Sequence, residues 1–338
     1  MKDNKRWSIW AMWQRKQAKH TVDDKLTLSA TSIGTFQTCR RRYEYEKIKH
    51  IYPVDKPVSL SFGSAIHAGL AMAIRFLGGE LELEKIKKCA VEAAFEVEGL
   101  SDEDRAKVEV LLCRYIDLYL ESDNQYEVEA IEKSYTLPIV NPKTGIESTR
   151  YFLTGFVDAV YRDKDGKLHI IEHKTSSMAN DDYFERVDID IQVAIYADLL
   201  SRSFGEDVRS VIYDVIKKPK HVMNTGETDE EYEARKAASK TGRIKRKEAE
   251  TYDEFKHRLE LAVGDDCFVR KEIVLTDETM DEYRRELWAI ANEMGKCREY
   301  YKCSGNCLKF GACPYMPLCK AHGNTEGLED LYTGIRPR

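Results

Sequence analysis

The sequence predicts a mixed α/β fold, in which a sheet core carries a helical flank on its N-terminal side. Residues 62–122 contain three stretches in which apolar residues recur at helical spacing. Strand patterns cluster at residues 127–175, and another strand pattern, SVIYDVIKK, follows an intervening helical stretch. This order of helices and strands predicts a mixed sheet packed against helices.

The N-terminal segment is predicted to be helical, because Trp7, Trp10 and Trp13 recur at near-helical spacing and Ser29 and Thr31 can cap helices. The segment is too charged for the apolar region of a signal peptide. No apolar run in the sequence is long enough to span a membrane. We therefore expect a cytoplasmic protein with no membrane partner.

The stretch DAVYRDKDGKLHIIEHK predicts a strand, a turn at Asp165 and Gly166, and a second strand. Such a hairpin brings Asp158 close to Glu172. Alternate strand residues share a face, so Glu172 and Lys174 project together while His173, between them, points away. The hairpin therefore places two carboxylates and one cation on a common surface.

Two carboxylates and a lysine are the side chains that a metal-dependent hydrolase needs. Magnesium and manganese prefer carboxylate oxygen, and a bound ion can activate water and neutralise a phosphate. Lys174 can orient that water or stabilise developing negative charge. The alternative is a surface hairpin with cross-strand charge pairs. Ile170 and Ile171 run directly into Glu172, where a solvated pair would gain little, and this favours the metal site.

Together with QVAIY, these motifs resemble the PD-(D/E)XK nuclease superfamily, in particular its RecB-like branch, which includes CRISPR-associated iron–sulfur exonucleases and phage recombination nucleases. The resemblance implies that GFVD supplies the acid Asp158 and that IIEHK supplies Glu172 and Lys174. It implies that Gln192 and Tyr196 form the family's Q-x-x-x-Y motif. It also implies a restriction-endonuclease-like mixed-sheet core.

The resemblance implies further ligands for magnesium or manganese beside Asp158 and Glu172. These are His67 in SFGSAIHAGL and the carbonyl of His173, and Glu132 is the match for an acid that precedes the first core strand. The alternative for His67 is an ordinary helix residue beside the core, because apolar residues recur at helical spacing around it. The Q-x-x-x-Y segment likewise fits a helix that packs its apolar stripe into the core.

The cysteines form a second informative pattern, because five of the nine lie between Cys297 and Cys319. In a chain with reduced thiols this density indicates a metal or cluster rather than disulfides. Only Cys303 and Cys307 approach the close pairing of zinc ligands. The resemblance implies a 4Fe-4S cluster that joins the two ends of the chain as a C-terminal iron–sulfur staple. Its ligands would be Cys39, Cys307, Cys313 and Cys319.

Zinc and buried thiols are the alternatives to this cluster, and Cys303 is a competing ligand. Cys89 and Cys113 lie in helical patterns and are predicted to be core thiols.

We expect a single RecB-like nuclease domain over residues 1–338, because the cluster ligands tie nearly the whole chain together. After Lys217 the sequence becomes highly charged with few apolar residues, which predicts an exposed insertion or mobile loop. The predicted parts are a helical flank with Cys39 and His67 (26–125), a catalytic core (126–216), a charged insertion (217–266), and a closing strand, helix and cysteine cluster (267–325).

The net charge of −6 and the isoelectric point near 5.9 mean that the chain is not basic as a whole. DNA binding must therefore depend on local patches. Two candidates are the run Lys240 to Lys247 and an N-terminal patch in which Tyr43 and Tyr45 are interleaved with Arg40, Arg41, Arg42, Lys47 and Lys49.

The expected function is a magnesium- or manganese-dependent DNA exonuclease that hydrolyses phosphodiester bonds at linear duplex ends or in single strands, with endonuclease activity as an extension. No phosphate-binding loop for ATP-driven unwinding is present in the sequence. By family analogy the protein acts in recombination or repair of phage or mobile-element DNA, with a single-strand annealing protein or a helicase as partner.

Three alternatives stay open. One is a non-catalytic DNA-binding or assembly subunit that retains the fold. Another is a nuclease stapled by zinc. The last is a small-molecule metalloenzyme or redox protein built around the cysteines.

Overall fold

The computed structural model describes residues 25–54, 58–80, 82–177, 180–187, 189–239, 244–309 and 311–334. The predicted helix with Trp7, Trp10 and Trp13 lies outside the described residues, as does the first half of the basic run that begins at Lys240. No helix among the described residues is long and apolar enough to cross a membrane.

The described strands form one mixed six-stranded sheet and one two-stranded sheet. In chain order they are β1 (Leu26–Leu28), β2 (Tyr52–Pro53), β3 (Glu127–Val140), β4 (Glu147–Arg162), β5 (Leu168–Ser176), β6 (Ser210–Lys217), β7 (Phe268–Val274) and β8 (Tyr332–Thr333).

The described α-helices flank these strands. They are α1 (Ala30–Thr38), α2 (Arg40–Tyr43), α3 (Val58–Ile74), α4 (Leu83–Phe95), α5 (Asp102–Tyr115), α6 (Glu121–Asp123), α7 (Asp181–Val187), α8 (Ile191–Phe204), α9 (Asp229–Ala238), α10 (Tyr252–Ala262), α11 (Asp277–Lys296) and α12 (Met316–Lys320).

Strand β4 is the long central strand of the large sheet. On one side it pairs antiparallel with β3 over most of its length. On the other side it pairs parallel with β1 near its start and antiparallel with β5 near its end. The sheet continues with β6 parallel to β5 and β7 antiparallel to β6. The predicted mixed α/β architecture is confirmed.

The predicted hairpin between β4 and β5 is also confirmed. Gly166 adopts a φ of 82°, a left-handed conformation that glycine tolerates without a steric penalty. The Asp163 carboxylate accepts the backbone N–H groups of Asp165 and Lys167, which closes the turn.

Beyond this turn the two strands separate. Their pairing begins at Arg162 with Leu168 and stops at Ala159 with Ile171. Asp158 is the next residue of β4, and its Oδ2 accepts the backbone N–H of His173 at 2.8 Å. A side chain thus replaces a ladder hydrogen bond at the point where the sheet forks.

The sheet has a packed core on each face. Val160, Ile170 and Val211 belong to the cluster that contains the buried side of α8 and α11. Their immediate neighbours Tyr161, Ile171 and Ile212 belong to another cluster, which contains Ile74 of α3. Because successive strand residues face opposite sides, α8 and the helical flank cover opposite faces of the sheet.

The charged segment after Lys217 is more structured than we expected from its composition. Helix α9 buries none of its residues, as an exposed insertion predicts. In α10, however, Phe255 and Leu259 are fully buried in one cluster with residues of α3 and α5. These two residues lie one helical turn apart, so a single apolar stripe anchors a segment whose average composition is polar.

Candidate metal centre and active site

Four predicted site residues form one hydrogen-bonded group at the end of β5 and the start of α8. Lys174 Nζ donates to Glu172 Oε1 and, at 3.0 Å, to Gln192 Oε1. Gln192 Nε2 donates to Glu172 Oε1 at 2.8 Å and to the Tyr196 hydroxyl at 2.7 Å. Strand alternation aligns Glu172 with Lys174, and one helical turn aligns Gln192 with Tyr196.

Lys174 carries its charge at neutral pH. Burial on its own would lower the pKa of Lys174, but the adjacent Glu172 carboxylate outweighs burial and raises this pKa above its ordinary value. Hydrogen bonds to Glu172 and Gln192 fix the direction of the ammonium group. Lys174 is therefore held as an oriented cation beside Glu172.

Glu172 keeps one unused oxygen. Its side chain is buried, and Oε2 has no hydrogen-bond partner among the described residues. Burial, followed by the nearby charge of Asp158, raises the pKa of Glu172 to about 7. A buried carboxylate oxygen without a donor is costly, and a metal ion can satisfy it.

A second group of ligand atoms lies across the fork in the sheet. His67 of α3, Glu132 of β3 and Asp158 of β4 offer one ligand atom each, and these atoms lie within 4.8 Å of one another. His67 Nδ1 is 3.3 Å from Asp158 Oδ1. The structure therefore brings His67 and Glu132 together with Asp158, and it places Glu132 within β3 and not before the first core strand.

This group contains two carboxylates and one imidazole, so the side chains alone do not neutralise its charge. Burial, reinforced by Asp158, raises the pKa of Glu132 to about 8. Burial would lower the pKa of His67, but Asp158 and the other carboxylates raise it to about 9. The pKa of Asp158 is lowered because His67 and His173 together outweigh the effect of burial. Carboxylates with an imidazole, beside the unpaired oxygen of Glu172, fit a divalent ion such as magnesium or manganese.

Glu132 reaches this group through an unusual backbone conformation. Its neighbours Ile131 and Lys133 pair with Ala159 and Val157, so Glu132 lies opposite Asp158 on the adjacent strand. Its φ is 49°, in the left-handed region that non-glycine residues rarely occupy. Backbone strain of this kind is concentrated at functional sites. The sequence contains no signal for it.

His173 faces away from Glu172 and Lys174, as predicted from strand alternation. Its side chain lies on the flank face of the sheet, where Nε2 is 3.2 Å from the Tyr115 hydroxyl. Nδ1 lies 3.5 Å from Asp158 Oδ2. The proposed role of the His173 carbonyl stays a prediction.

A family model described as the PD-(D/E)XK nuclease superfamily matches residues 27–320. The chain belongs to the PD-(D/E)XK nuclease superfamily. Members of this superfamily use divalent metals, and the acidic group with His67 is a candidate metal site in this member. The match contains every predicted catalytic and cluster residue.

Curated proteins and solved structures give no further information about activity. No curated protein matches the sequence. A solved structure titled "Crystal structure of SSO0001" aligns over 91% of this chain and 91% of its own, at 16% identity and a TM-score of 0.38. A likeness this distant carries no argument about activity.

In this superfamily member the N-terminal and C-terminal cysteines lie near each other. The Cys303 backbone N–H is 3.5 Å from Cys39 Sγ. Burial raises the pKa of Cys319, and the nearby Cys39 and Cys313 raise it further. The Cys307 backbone carbonyl accepts a hydrogen bond from the Cys313 N–H. The described part of the chain contains no three cysteine sulfurs within 4.8 Å of one another.

The predicted N-terminal basic patch is only partly neutralised in the structure, because its five cations share three carboxylates. Each cation has a carboxylate partner: Arg40 pairs with Glu293, Arg41 and Lys49 with Glu44, and Arg42 and Lys47 with Glu46. Glu44 and Glu46 lie within the patch and are visible in the sequence, whereas Glu293 is distant in sequence and is brought to Arg40 by the fold.

A cation that we did not predict lies closer to the metal group. Arg75, just after α3, is exposed and makes no ion pair among the residues that the structure describes. It lines a cleft of about 600 Å³ together with Ile131 and Tyr126. Ile131 precedes Glu132, and the charge of Arg75 lowers the pKa of Glu132 against the effect of burial. Nothing in the sequence around Arg75 distinguishes it.

Proposed function

We propose that the protein is a magnesium- or manganese-dependent DNA exonuclease that hydrolyses phosphodiester bonds at DNA ends or in single strands. One observation carries the proposal. Lys174 is held between Glu172 and Gln192 on a sheet whose fork also brings His67, Glu132 and Asp158 together. Membership of a nuclease superfamily makes DNA the expected substrate class.

The residues that would hold the ion are His67, Asp158 and Glu172, with Glu132 as a further carboxylate and the His173 carbonyl as an additional ligand. A bound divalent ion supplies a Lewis acid that lowers the pKa of water and offsets charge on the phosphate. The protein's own contribution is to bring ligand atoms of His67, Glu132 and Asp158 within 4.8 Å of one another, with Asp158 and Glu172 buried.

Lys174 would stabilise the negative charge that develops on the scissile phosphate. Because its pKa is raised, it offers protons and positive charge, which would position or activate the attacking water. Gln192 fixes Lys174 by accepting one hydrogen bond from it and donating another to Glu172. Tyr196 fixes Gln192 in turn.

The cofactor half of the proposal is a 4Fe-4S cluster on Cys39, Cys307, Cys313 and Cys319. Its support is the approach of Cys39 to the C-terminal cysteine segment. A tetrahedral zinc site on the same cysteines is the alternative, and iron and zinc analysis of the purified protein separates the two.

The biological setting is proposed from the motif set alone. A nuclease of this branch without a phosphate-binding loop would act on free ends or single strands, or with a helicase partner. We propose a role in recombination or repair of phage or mobile-element DNA, beside a single-strand annealing protein.

The test is digestion of end-labelled linear duplex, covalently closed circular duplex and single-stranded DNA, each with manganese, magnesium or a chelator. We expect linear duplex or single strands to be degraded progressively, closed circles to survive longer, and the chelator to stop the reaction. A metal-loaded protein that binds DNA but leaves all three substrates intact would identify a non-catalytic subunit. Equal cleavage of circles and linear duplex would contradict the exonuclease assignment.

Arg75 provides a test of where the DNA backbone lies. Because it is unpaired beside the metal group, we expect Arg75→Ala to raise KM several-fold and leave kcat nearly unchanged. The slope of log affinity against log salt should decrease in magnitude by about 1, as for one lost phosphate contact. Arg285→Ala is the control, because Arg285 is also exposed and makes no ion pair among the described residues. An unchanged salt slope in Arg75→Ala would place the DNA elsewhere.

A further inference from the structure

A row of three polar side chains crosses the sheet behind Asp158. His173 on β5 is in register with Asp214 on β6, and Asp214 is in register with Arg270 on β7. Residues in register share a face, so the three side chains lie side by side beneath the helical flank. His173 and Asp214 are each only 2% exposed.

Two residues from the flank complete the row. Arg270 donates to Asp214 from Nε at 2.7 Å and to Asp123 from Nη1 at 2.6 Å. The Tyr115 hydroxyl donates to Asp214 Oδ2 at 2.5 Å. Arg270 Nη2 also donates to the Tyr115 oxygen at 2.9 Å. The row is therefore a continuous network in which two carboxylates share one guanidinium.

The network ends on the metal group. Because the Tyr115 hydroxyl proton is given to Asp214, its oxygen must accept from His173 Nε2, which is 3.2 Å away. The backbone N–H of His173 donates to Asp158 Oδ2, and His173 Nδ1 faces the same oxygen. The other oxygen of Asp158, Oδ1, faces His67.

We propose that Tyr115, Asp214 and Arg270 are positioning residues for the metal site. They hold the His173 ring in place, and the backbone N–H of the same residue fixes one oxygen of Asp158, so that the other oxygen stays directed at the metal group. The proposal rests on the proposed function, because it takes Asp158 as a metal ligand. Removing a group that fixes the orientation of a metal ligand typically weakens metal affinity by about 10–100-fold.

A purely structural role gives a weaker account of the same residues. Burying two carboxylates and a guanidinium is generally no more favourable than an apolar core of the same volume. Here the buried charges are linked to Asp158, and the row is built from strands and helices that are distant in sequence. The linkage gives the buried charges a use that an apolar core could not provide.

The test is a direct titration of manganese into the full chain, by calorimetry or by the electron paramagnetic resonance of free Mn²⁺. We expect Tyr115→Phe, which removes one hydroxyl, to weaken manganese binding by about tenfold or more. At saturating manganese the KM for DNA should be unchanged. Tyr283→Phe is the control, because Tyr283 is equally buried and its hydroxyl has no partner among the described residues. It should bind manganese as the unaltered protein does.

Arg270→Lys provides a second variant, since it keeps the charge but loses the forked contact to Asp123 and Asp214. We expect the same loss of manganese affinity. The double variant with Tyr115→Phe should bind manganese only slightly less tightly than the single variant that binds it less tightly. Affinity within about twofold of the unaltered protein in Tyr115→Phe would overturn the proposal. An equal loss in Tyr283→Phe would do so too. If neither Tyr115→Phe nor Arg270→Lys folds, the row is a structural brace and the proposal fails.

Parallel DNA digestion separates this proposal from the proposed function. Manganese binding that depends on Tyr115, without any DNA cleavage, would remove the nuclease assignment and keep the positioning role. Cleavage that depends on Lys174, with Tyr115→Phe binding manganese normally, would remove only the positioning role. Failure of the unaltered protein to bind manganese would overturn both.

Discussion

At the residue scale, the candidate site is defined by negative charge that the protein does not neutralise. Asp158 is stabilised as a carboxylate by His67 and His173, whereas Glu132 and Glu172 have pKa values raised to about 8 and about 7. In the metal-free protein, protons therefore occupy a position where a divalent ion would otherwise bind. Protons and metal compete for the same group of oxygens.

This competition predicts the direction of the pH dependence. At about pH 6 the raised pKa values keep protons on Glu132, Glu172 and His67, and a metal must displace them. Raising the pH removes these protons, so we expect manganese affinity to tighten up to about pH 9, by as much as about tenfold per pH unit for each proton displaced. Titration calorimetry in two buffers with different ionisation enthalpies measures both affinity and proton release. Constant affinity across this range would contradict the assignment.

Sequence motifs could identify only part of this site. Asp158, Glu172 and Lys174 stand in short motifs whose strand spacing already places them together. Glu132 depends on a left-handed backbone conformation and on cross-strand register, neither of which the sequence encodes locally. For Asp214 the sequence does contain a signal. It is a lone acid within the apolar strand SVIYDVI, and a buried acid needs a buried partner.

At the element scale, close approaches between backbones position the functional side chains. The motif GFVD begins with Gly155, which lies on β4 directly beneath α8. A Cβ added at Gly155 would lie 2.8 Å from Leu199 Cδ1 and 2.9 Å from the ring of Tyr196. Glycine at this position therefore allows the helix that carries Gln192 and Tyr196 to pack against the sheet.

We expect Gly155→Ala to shift α8 and to cost about 1–3 kcal/mol of stability through overpacking. Nuclease activity should fall further than stability accounts for, because Gln192 orients Lys174. Gly34→Ala in α1 is the matched control: its added methyl group meets nothing within 4 Å, and alanine should stabilise the helix by roughly 0.5–1 kcal/mol. Denaturant unfolding and initial digestion rates measure the two effects. A fully active and stable Gly155→Ala would refute this account of the glycine.

Most elements could be predicted because their apolar periodicity is strong. The hairpin after Asp158, the helix at QVAIY and the strand SVIYDVIKK all form as expected. The segment after Lys217 differed, because two buried residues of α10 outweighed many charged neighbours. The closing helix predicted within residues 267–325 runs from Asp277 to Lys296, with Cys297 in an extended conformation.

At the scale of the whole molecule, the beginning and end of the described chain are joined by hydrogen bonds. Strands β2 and β8 pair antiparallel, and the Tyr315 hydroxyl donates to the Ile51 carbonyl at 2.9 Å. Asn306 donates to the Thr38 carbonyl at 2.7 Å. The proposed cluster would reinforce a contact that the polypeptide already makes.

Removal of one proposed cluster ligand should therefore abolish the visible absorption of the protein without unfolding it. We expect Cys39→Ser, purified anaerobically, to lose most of its iron and its broad visible absorption but to keep its secondary structure, because β2 and β8 remain paired. Cys89→Ser is the control, since Cys89 lies on α4, where it is half-buried and not the fully buried core thiol that we predicted. Iron and acid-labile sulfide analysis with circular dichroism measures both outcomes. A colourless unaltered protein that contains zinc would contradict the cluster.

The most direct test of the account is manganese-dependent hydrolysis of linear DNA by the unaltered protein, by Lys174→Ala and by Lys256→Ala. Lys256 is a close match: its side chain is 30% exposed against 29% for Lys174, and it also pairs with a glutamate, Glu109. We predict that Lys174→Ala loses cleavage by about a hundredfold or more and still binds DNA, whereas Lys256→Ala stays active. Full activity in Lys174→Ala, or no cleavage by the unaltered protein with manganese bound, would contradict the proposed nuclease site.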